Sequence, residues 1–363
     1  MDEPFSAQPN NGPIKGRGSV SNPTGRYEPT VRHAVDDGWD LEEDLPPLRT
    51  TVTADSTRKI IAWNTSPDVG FEQSINPYRG CEHGCIYCYA RPRHAYRGLS
   101  PGLDFETKLF HKPNAATLLE NELRKPTYEC KTIVIGADTD PYQPIEKTYA
   151  ITRQVLEVLS AFNHPVGIIT KSHMVTRDLD ILGSMAARGL ATVAVSVTSL
   201  DRHLARIMEP RASTPPKRLA AIRKLSDAGV PVRVMAAPMI PHLNDAELES
   251  ILDAAHTAGA RFAAYTLVRL PLELKELFEE WLDTHFPDKK NHVLNQLRET
   301  RYGQLYVAEF GKRMRGTGVY ADLLRERFIK ACRRLGLNKN RHADIKQARF
   351  CPPPRPGDQL KLL

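Results

Sequence analysis

Three cysteines within eight residues, Cys81, Cys85 and Cys88, constrain this chain more than any other feature. They sit in NPYRGCEHGCIYCYAR (residues 76–91), spaced C-x3-C-x2-C. Gly80 and Gly84 give the backbone the freedom to wrap while three sulfurs converge. Soft thiolates in such a loop suit zinc or an iron–sulfur cluster. A structural zinc site normally takes four protein ligands, often as two pairs. The other cysteines, Cys130, Cys332 and Cys351, are isolated in sequence and form no second pair. A [4Fe–4S] cube on three cysteines, with one iron open to a small molecule, fits the spacing best. A zinc loop with His83 or His94 as fourth ligand, or a cluster that only regulates, are the alternatives.

The aromatic Tyr87 just before the last cysteine completes a pattern that resembles the signature of radical S-adenosylmethionine (SAM) enzymes. The flanking GCEHGCIYCYAR is similar to the branch of that superfamily containing spore photoproduct lyase, and further resemblance lies in IITKSHMV, VSVTS, EPRASTPPKRLAAIRKLSDAG and VMAAP. Together these span about two-thirds of the chain, from Ser74 to Pro238 with gaps. The resemblance implies a [4Fe–4S] cluster on Cys81, Cys85 and Cys88, with SAM as the second cofactor. It also implies reductive cleavage of SAM to methionine and a 5′-deoxyadenosyl radical, fed by a reductant such as flavodoxin or ferredoxin. The substrate is left open, with DNA-lesion repair as one possibility. The rival reading from another class is a nucleic-acid-binding protein whose cluster is structural or redox-sensing.

At 363 residues the chain suits one α/β barrel with extensions. With 41% hydrophobic and 26% charged residues it has the composition of a soluble globular protein. It contains no apolar run of about 18 residues, so no transmembrane helix and no membrane partner are expected. The first residues, MDEPFSAQPNNGP, lack the basic and apolar regions of a signal peptide. Clustered thiols argue for a reducing compartment, hence a cytoplasmic protein. The net charge of +7 is uneven: residues 298–355 hold 15 Lys and Arg against 5 Asp and Glu. A basic concentration of this kind is the footprint of a polyanion, nucleic acid first, or simply a solvated helical face.

Four regions follow from the pattern. Residues 1–55, rich in Pro, Gly, Asn and charge, are expected to be a flexible N-terminal arm, although GRGSVSNPTGRYE could dock across the domain. Residues 56–270 read as a partial (βα)6 barrel. Its strands are expected at 71–76, 131–136, 166–170, 191–197, 232–236 and 262–268, alternating with helices at 148–162, 175–188, 200–208, 217–228 and 245–258, and residues 89–97 after the cysteines are expected to be helical. Such alternation implies right-handed βαβ units and a parallel sheet. Residues 271–350 form a helical, basic C-terminal extension, with helices at 274–286, 294–301 and 321–335 and a Gly-punctuated loop at 311–318. Residues 351–363 are a Pro-rich tail.

Ligands of parallel barrels gather where the strands end. Those ends carry Asp138, Thr139 and Asp140, then Lys171, then Ser196 and Thr198. The resemblance implies that Lys171 meets the SAM carboxylate and that Ser196 or Thr198 reaches the ribose. Asp138, Thr139 and Asp140 would meet the amino group, and Tyr87 would contact the cofactor. One departure matters. Spore photoproduct lyase returns a hydrogen atom from a cysteine just after its second strand, where this chain has Ala137, and Cys130 precedes that strand. The lyase reaction is therefore not assigned. The tail QLKLL (residues 359–363) resembles the Gln-Leu-x-Leu-Phe peptide that grips bacterial sliding clamps, with Leu363 in place of Phe. The same leucines could instead cover an apolar patch of the protein's own barrel.

Overall fold

Short apolar runs, bounded by glycine or proline turns and separated by amphipathic stretches, become strands and helices in turn. The computed structural model describes residues 13–31, 48–339 and 349–354. Among these residues ten strands are found: β1 (Thr51–Ala54), β2 (Ile61–Trp63), β3 (Gln73–Ile75), β4 (Tyr78–Arg79), β5 (Lys108–His111), β6 (Ile133–Ile135), β7 (Val166–Thr170), β8 (Ala191–Ser196), β9 (Val232–Met239) and β10 (Phe262–Leu267). Seven build the large sheet in the order β10-β9-β8-β7-β6-β3-β2. The six expected strands, β3 and β6 to β10, run parallel. β2 adds an antiparallel edge beside β3. A second, three-stranded sheet, β1-β5-β4, was not anticipated.

Helices cover the sheet through single apolar stripes. The helix Ile151–Ala161 buries Ile151, Val155, Leu156 and Leu159, positions spaced three to four apart. Each such side chain contributes about 1.5–3 kcal/mol when fully buried. In the extension, Leu274–His285 buries Leu277, Phe278 and Trp281, and Val319–Leu335 buries Leu324, Phe328 and Ala331. This last helix packs beside Leu248–Thr257, pairing Arg327 with Glu249 and Arg334 with Asp253. Part of the basic excess is thereby neutralised within the fold. No described helix is long and apolar enough to cross a membrane.

Three expectations are corrected. The helix expected at 294–301 begins earlier, as Pro287–Glu299, because Pro287 supplies a preset first-turn φ and needs no N–H partner. The stretch expected to be helical at 89–97 is a 3-10 helix, Arg91–Arg97, closed by Gly98 in a left-handed conformation. Within the segment expected to be a flexible arm, Arg17, Gly18, Ser19 and Val20 are buried. Composition could not show this, because polar contacts rather than apolar bulk hold the segment. The clamp-like tail, residues 359–363, lies outside the described residues.

Candidate metal centre

β3 delivers the chain to the mouth of the sheet, and the cysteine loop begins after β4. Gly84, at φ 68°, makes a left-handed turn that an L side chain resists. Short backbone bonds then coil the loop: Gly84 N–H to Cys81 O (3.3 Å), Cys88 N–H to Cys85 O (3.2 Å) and Arg91 N–H to Cys88 O (3.0 Å). Neighbouring elements pin it, through Cys81 N–H to Phe105 O (2.9 Å) and Ile86 N–H to Met208 O (3.1 Å). Gln143 accepts from Glu82 N–H (2.9 Å) and donates to Gly80 O (3.2 Å).

Beneath the loop lies an ion pair that sequence reading missed. Arg91, wholly buried, donates to the carbonyls of Gly84 (3.0 Å), Cys85 (2.9 Å) and Gly102 (2.9 Å), and pairs with buried Glu106. Glu106 also accepts from the backbone N–H groups of Gly18 (3.0 Å) and Ser19 (2.9 Å). The arm therefore closes over the cysteine loop. Its approach is so near that a Cβ on Gly18 would stand 1.8 Å from Gly84 O. The only local hint was charge inside the otherwise tight stretches GLDFE and CYAR.

A second buried network also supports the loop. The Tyr87 hydroxyl donates to buried Glu209, which also accepts from Thr198 (2.7 Å) and pairs with buried Arg218. Arg218 in turn donates to Ser196 O (3.2 Å). Lys171 Nζ stands 5.7 Å from the centroid of the Tyr87 ring.

The three thiols match what a cluster requires of its donors. Burial pushes all three pKa values up, and for Cys81 the charges of Asp140, Cys85 and Cys88 push further. Lys171 is a nearby positive charge for Cys85 and Cys88. These shifts favour neutral thiols, and a metal centre bound among the three cysteines would supply the positive charge that deprotonates them. Among the described residues no three His, Cys, Asp or Glu side chains are placed to hold a metal ion. A cube takes one thiolate at each of three irons, which sets the sulfurs farther apart than ligands of a single ion. His83 Nδ1 lies 3.3 Å from Asp140, and His94 packs edge-on against Phe105.

The model of the Radical SAM superfamily matches residues 75–255. An uncharacterized protein of Mycobacterium tuberculosis is 35% identical over 262 residues, covering 71% of this chain and 72% of its own. One from Methanocaldococcus jannaschii is 26% identical over 233 residues, 64% of this chain and 83% of its own. The chain belongs to the radical SAM superfamily. In fold it is similar to spore photoproduct lyase complexed with dinucleoside spore photoproduct, at a TM-score of 0.57 and 18% identity over 78% of each chain. The superfamily's cofactors are a [4Fe–4S] cluster and SAM, and its members draw electrons from an external reductant.

For a radical SAM centre, the expected SAM contacts divide into two kinds. Lys171 and Asp138 are half-buried at the mouth. Asp138 pairs with Arg93; burial raises its pKa, and Arg93, Lys112 and Arg79 oppose the rise. Asp140, Thr139 and Thr198 are instead engaged with the protein. Asp140 accepts from Thr170 (2.7 Å), Lys171 N–H (2.7 Å) and Tyr142 N–H (2.9 Å). Burial alone would raise its pKa, but His83 and these donors hold it down to about 2. Thr139 donates to Tyr78 O (3.1 Å). Buried Thr198 lies between Glu209 and Tyr87, while Ser196 is buried at the end of β8. Asn76, also missed, accepts from the N–H groups of Asp138 (2.9 Å) and Thr139 (3.4 Å), shaping the turn after β6. Ala137 sits in that turn, its carbonyl accepting from Tyr89, while Cys130 precedes β6.

Proposed function

We propose that this chain is a radical SAM enzyme that abstracts hydrogen from a nucleic-acid substrate. Bound at the open iron and reduced by one electron from a flavodoxin- or ferredoxin-type donor, SAM would supply a 5′-deoxyadenosyl radical for that step. Cys81, Cys85 and Cys88 would hold the cluster, and Lys171 would give the SAM carboxylate a charge-assisted hydrogen bond. Asp138 would take the amino group, Ser196 the ribose, and Tyr87 would contact the cofactor. Asp140, Thr139 and Thr198 act on this reading as positioning residues, fixing the turns that carry the others.

The observation that carries the substrate class is the loop beyond the last sheet strand. Tyr302 and Phe310 are exposed, with Lys312 5.1 Å from the Tyr302 ring and Arg313 4.7 Å from the Phe310 ring. Tyr302 is held at φ 56° in the turn that ends the helix Pro287–Glu299, where Gly303 N–H bonds Arg298 O (2.9 Å). Met314 O accepts from Leu267 N–H (2.9 Å), which ties this loop to the end of β10. Exposed aromatic rings beside cations are the means by which proteins hold unstacked bases and their phosphates. The solved lyase of similar fold holds a dinucleoside. Repair of a DNA lesion is the form of the reaction we favour, with a different hydrogen donor, since Ala137 cannot serve. The 359–363 tail would add a weak contact to a sliding clamp.

Anaerobic incubation with reductant, SAM and ultraviolet-damaged, deuterium-labelled DNA tests this. DNA should stimulate 5′-deoxyadenosine release and transfer deuterium into it. Release without stimulation or transfer would remove the nucleic-acid substrate. No release under any condition would leave a structural or redox-sensing cluster.

A further inference from the structure

Three arginines are among the largest fully buried side chains of the described residues: Arg91, Arg218 and Arg301. Two have a carboxylate, Glu106 and Glu209 respectively. Arg301 has none among the described residues. One of its terminal nitrogens donates to Val268 O (2.6 Å) and the other to Thr300 Oγ1 (3.3 Å). Its Nε is buried without any hydrogen-bond partner among the described residues. The bond to Val268 O brings Arg301 to the residue next in chain to a second guanidinium, Arg269. Burial first, and Arg269 second, bring the Arg301 pKa down to about 10.

This arrangement opposes the usual rule that a buried charge is paired. Two like charges repel, and a donor is left unmade, so the fold carries a cost that the free chain does not offset. Position explains what would offset it. Arg269 comes two residues after β10, at the same end of the sheet as the cysteine loop. Its guanidinium lies 4.3 Å from the centroid of the Tyr89 ring, and Tyr89 adjoins Cys88. Arg301 immediately precedes the exposed Tyr302. The pair thus links the cluster loop to the aromatic loop.

We infer that Arg269 and Arg301 form an oxyanion subsite that binds a phosphate or carboxylate group of the substrate beside the cluster loop. The forked guanidinium suits such a group because it donates two parallel N–H bonds. An oxyanion there would pair both charges and satisfy the idle Nε–H. The word substrate rests on the proposed radical chemistry; the anion site itself does not.

The test uses the full-length, cluster-loaded protein and calorimetric titration with inorganic phosphate or with acetate at matched ionic strength. Wild type should bind one of them with a Kd on the order of millimolar. Arg269→Gln, at a half-buried position, should weaken that binding about tenfold or more. Arg301→Lys should weaken it too, although the charge is kept, because an ammonium lacks the fork. Phosphate binding stronger than acetate assigns the subsite to a phosphate-bearing substrate; the reverse assigns it to a carboxylate. No binding of either by wild type at concentrations on the order of 100 mM, or equal binding by wild type and Arg269→Gln, overturns the inference. Binding that persists in a protein unable to cleave SAM would keep the subsite and refute the radical reading. SAM cleavage without anion binding would do the opposite.

Discussion

Replacing Glu106 with Gln changes no shape and removes one charge, yet its effect should be large. Both carboxylate oxygens only accept: one takes Gly18 N–H, the other Ser19 N–H and the Arg91 guanidinium. A Gln amide presents an NH2 group to one of these donors and leaves the Arg91 charge buried without a counter-ion. Breaking a buried pair from one side costs about 3–5 kcal/mol, a large share of the roughly 5–15 kcal/mol that holds a domain. With a urea slope near 3 kcal/mol per molar, the midpoint should fall by roughly 1–2 M. Iron content after anaerobic reconstitution should fall as well, since Arg91 holds the carbonyls of Gly84 and Cys85 inside the cysteine loop.

A double variant separates the two effects. Arg91→Met with Glu106→Leu removes the pair whole, and apolar replacements of buried pairs are often neutral or stabilising. Only the part of the midpoint loss that comes from the uncompensated Arg91 charge should return, and the cluster should not, because the loop carbonyls and the Gly18 and Ser19 N–H groups have lost their partners. A midpoint shift in Glu106→Gln corresponding to less than about 1 kcal/mol would refute the reasoning. So would a double variant that binds iron as well as wild type.

Other outcomes follow from the same geometry. Changing Cys81, Cys85 or Cys88 to Ala should abolish a cluster of about four irons per chain, whereas Ala at Cys130, Cys332 or Cys351 should leave the iron count and brown absorbance intact. Lys171→Ala should weaken SAM binding by one to two decades, for a lost charge-assisted bond of about 1.5–3 kcal/mol, with iron content unchanged; equal affinity in a direct titration removes Lys171 from the site. Buried His164, bonded to Tyr128 (2.6 Å), has its pKa lowered by burial to about 4. It is neutral in the fold, so its contribution is complete above pH 6.5 and is lost as pH falls toward 4, by up to about 3 kcal/mol. A His164→Gln variant whose urea midpoint declines as steeply over that window would contradict this. A peptide covering residues 356–363 should bind purified sliding clamp weakly, and Gln359→Ala with Leu362→Ala should not; no binding at hundreds of micromolar ends that proposal.

The sequence made the parallel sheet legible because its central strands are buried on both faces. Runs such as VGIIT at 166–170 and ATVAVS at 191–196 are nearly continuous apolar text. The cysteines were legible because soft ligands at fixed spacing have few other uses. The small sheet was not. Thr51–Ala54 and Lys108–His111 are short and partly polar, and they pair in parallel across more than fifty residues. Nothing local predicts such a partnership, since its stability comes from backbone bonds made only after closure.

The same limit explains why the buried charges escaped notice. Arg91, Glu106, Glu209 and Arg218 look like surface residues in sequence, because a charge is expected inside only when its partner is known. Those partners stand 15 and 9 positions apart, and they join only when the cysteine loop folds onto them. Arg301 then becomes informative by contrast. Where this fold encloses Arg91 and Arg218, it also encloses the carboxylates that match them. A third enclosed guanidinium lacking one among the described residues is what motivates the proposed oxyanion subsite, next in chain to the exposed Tyr302.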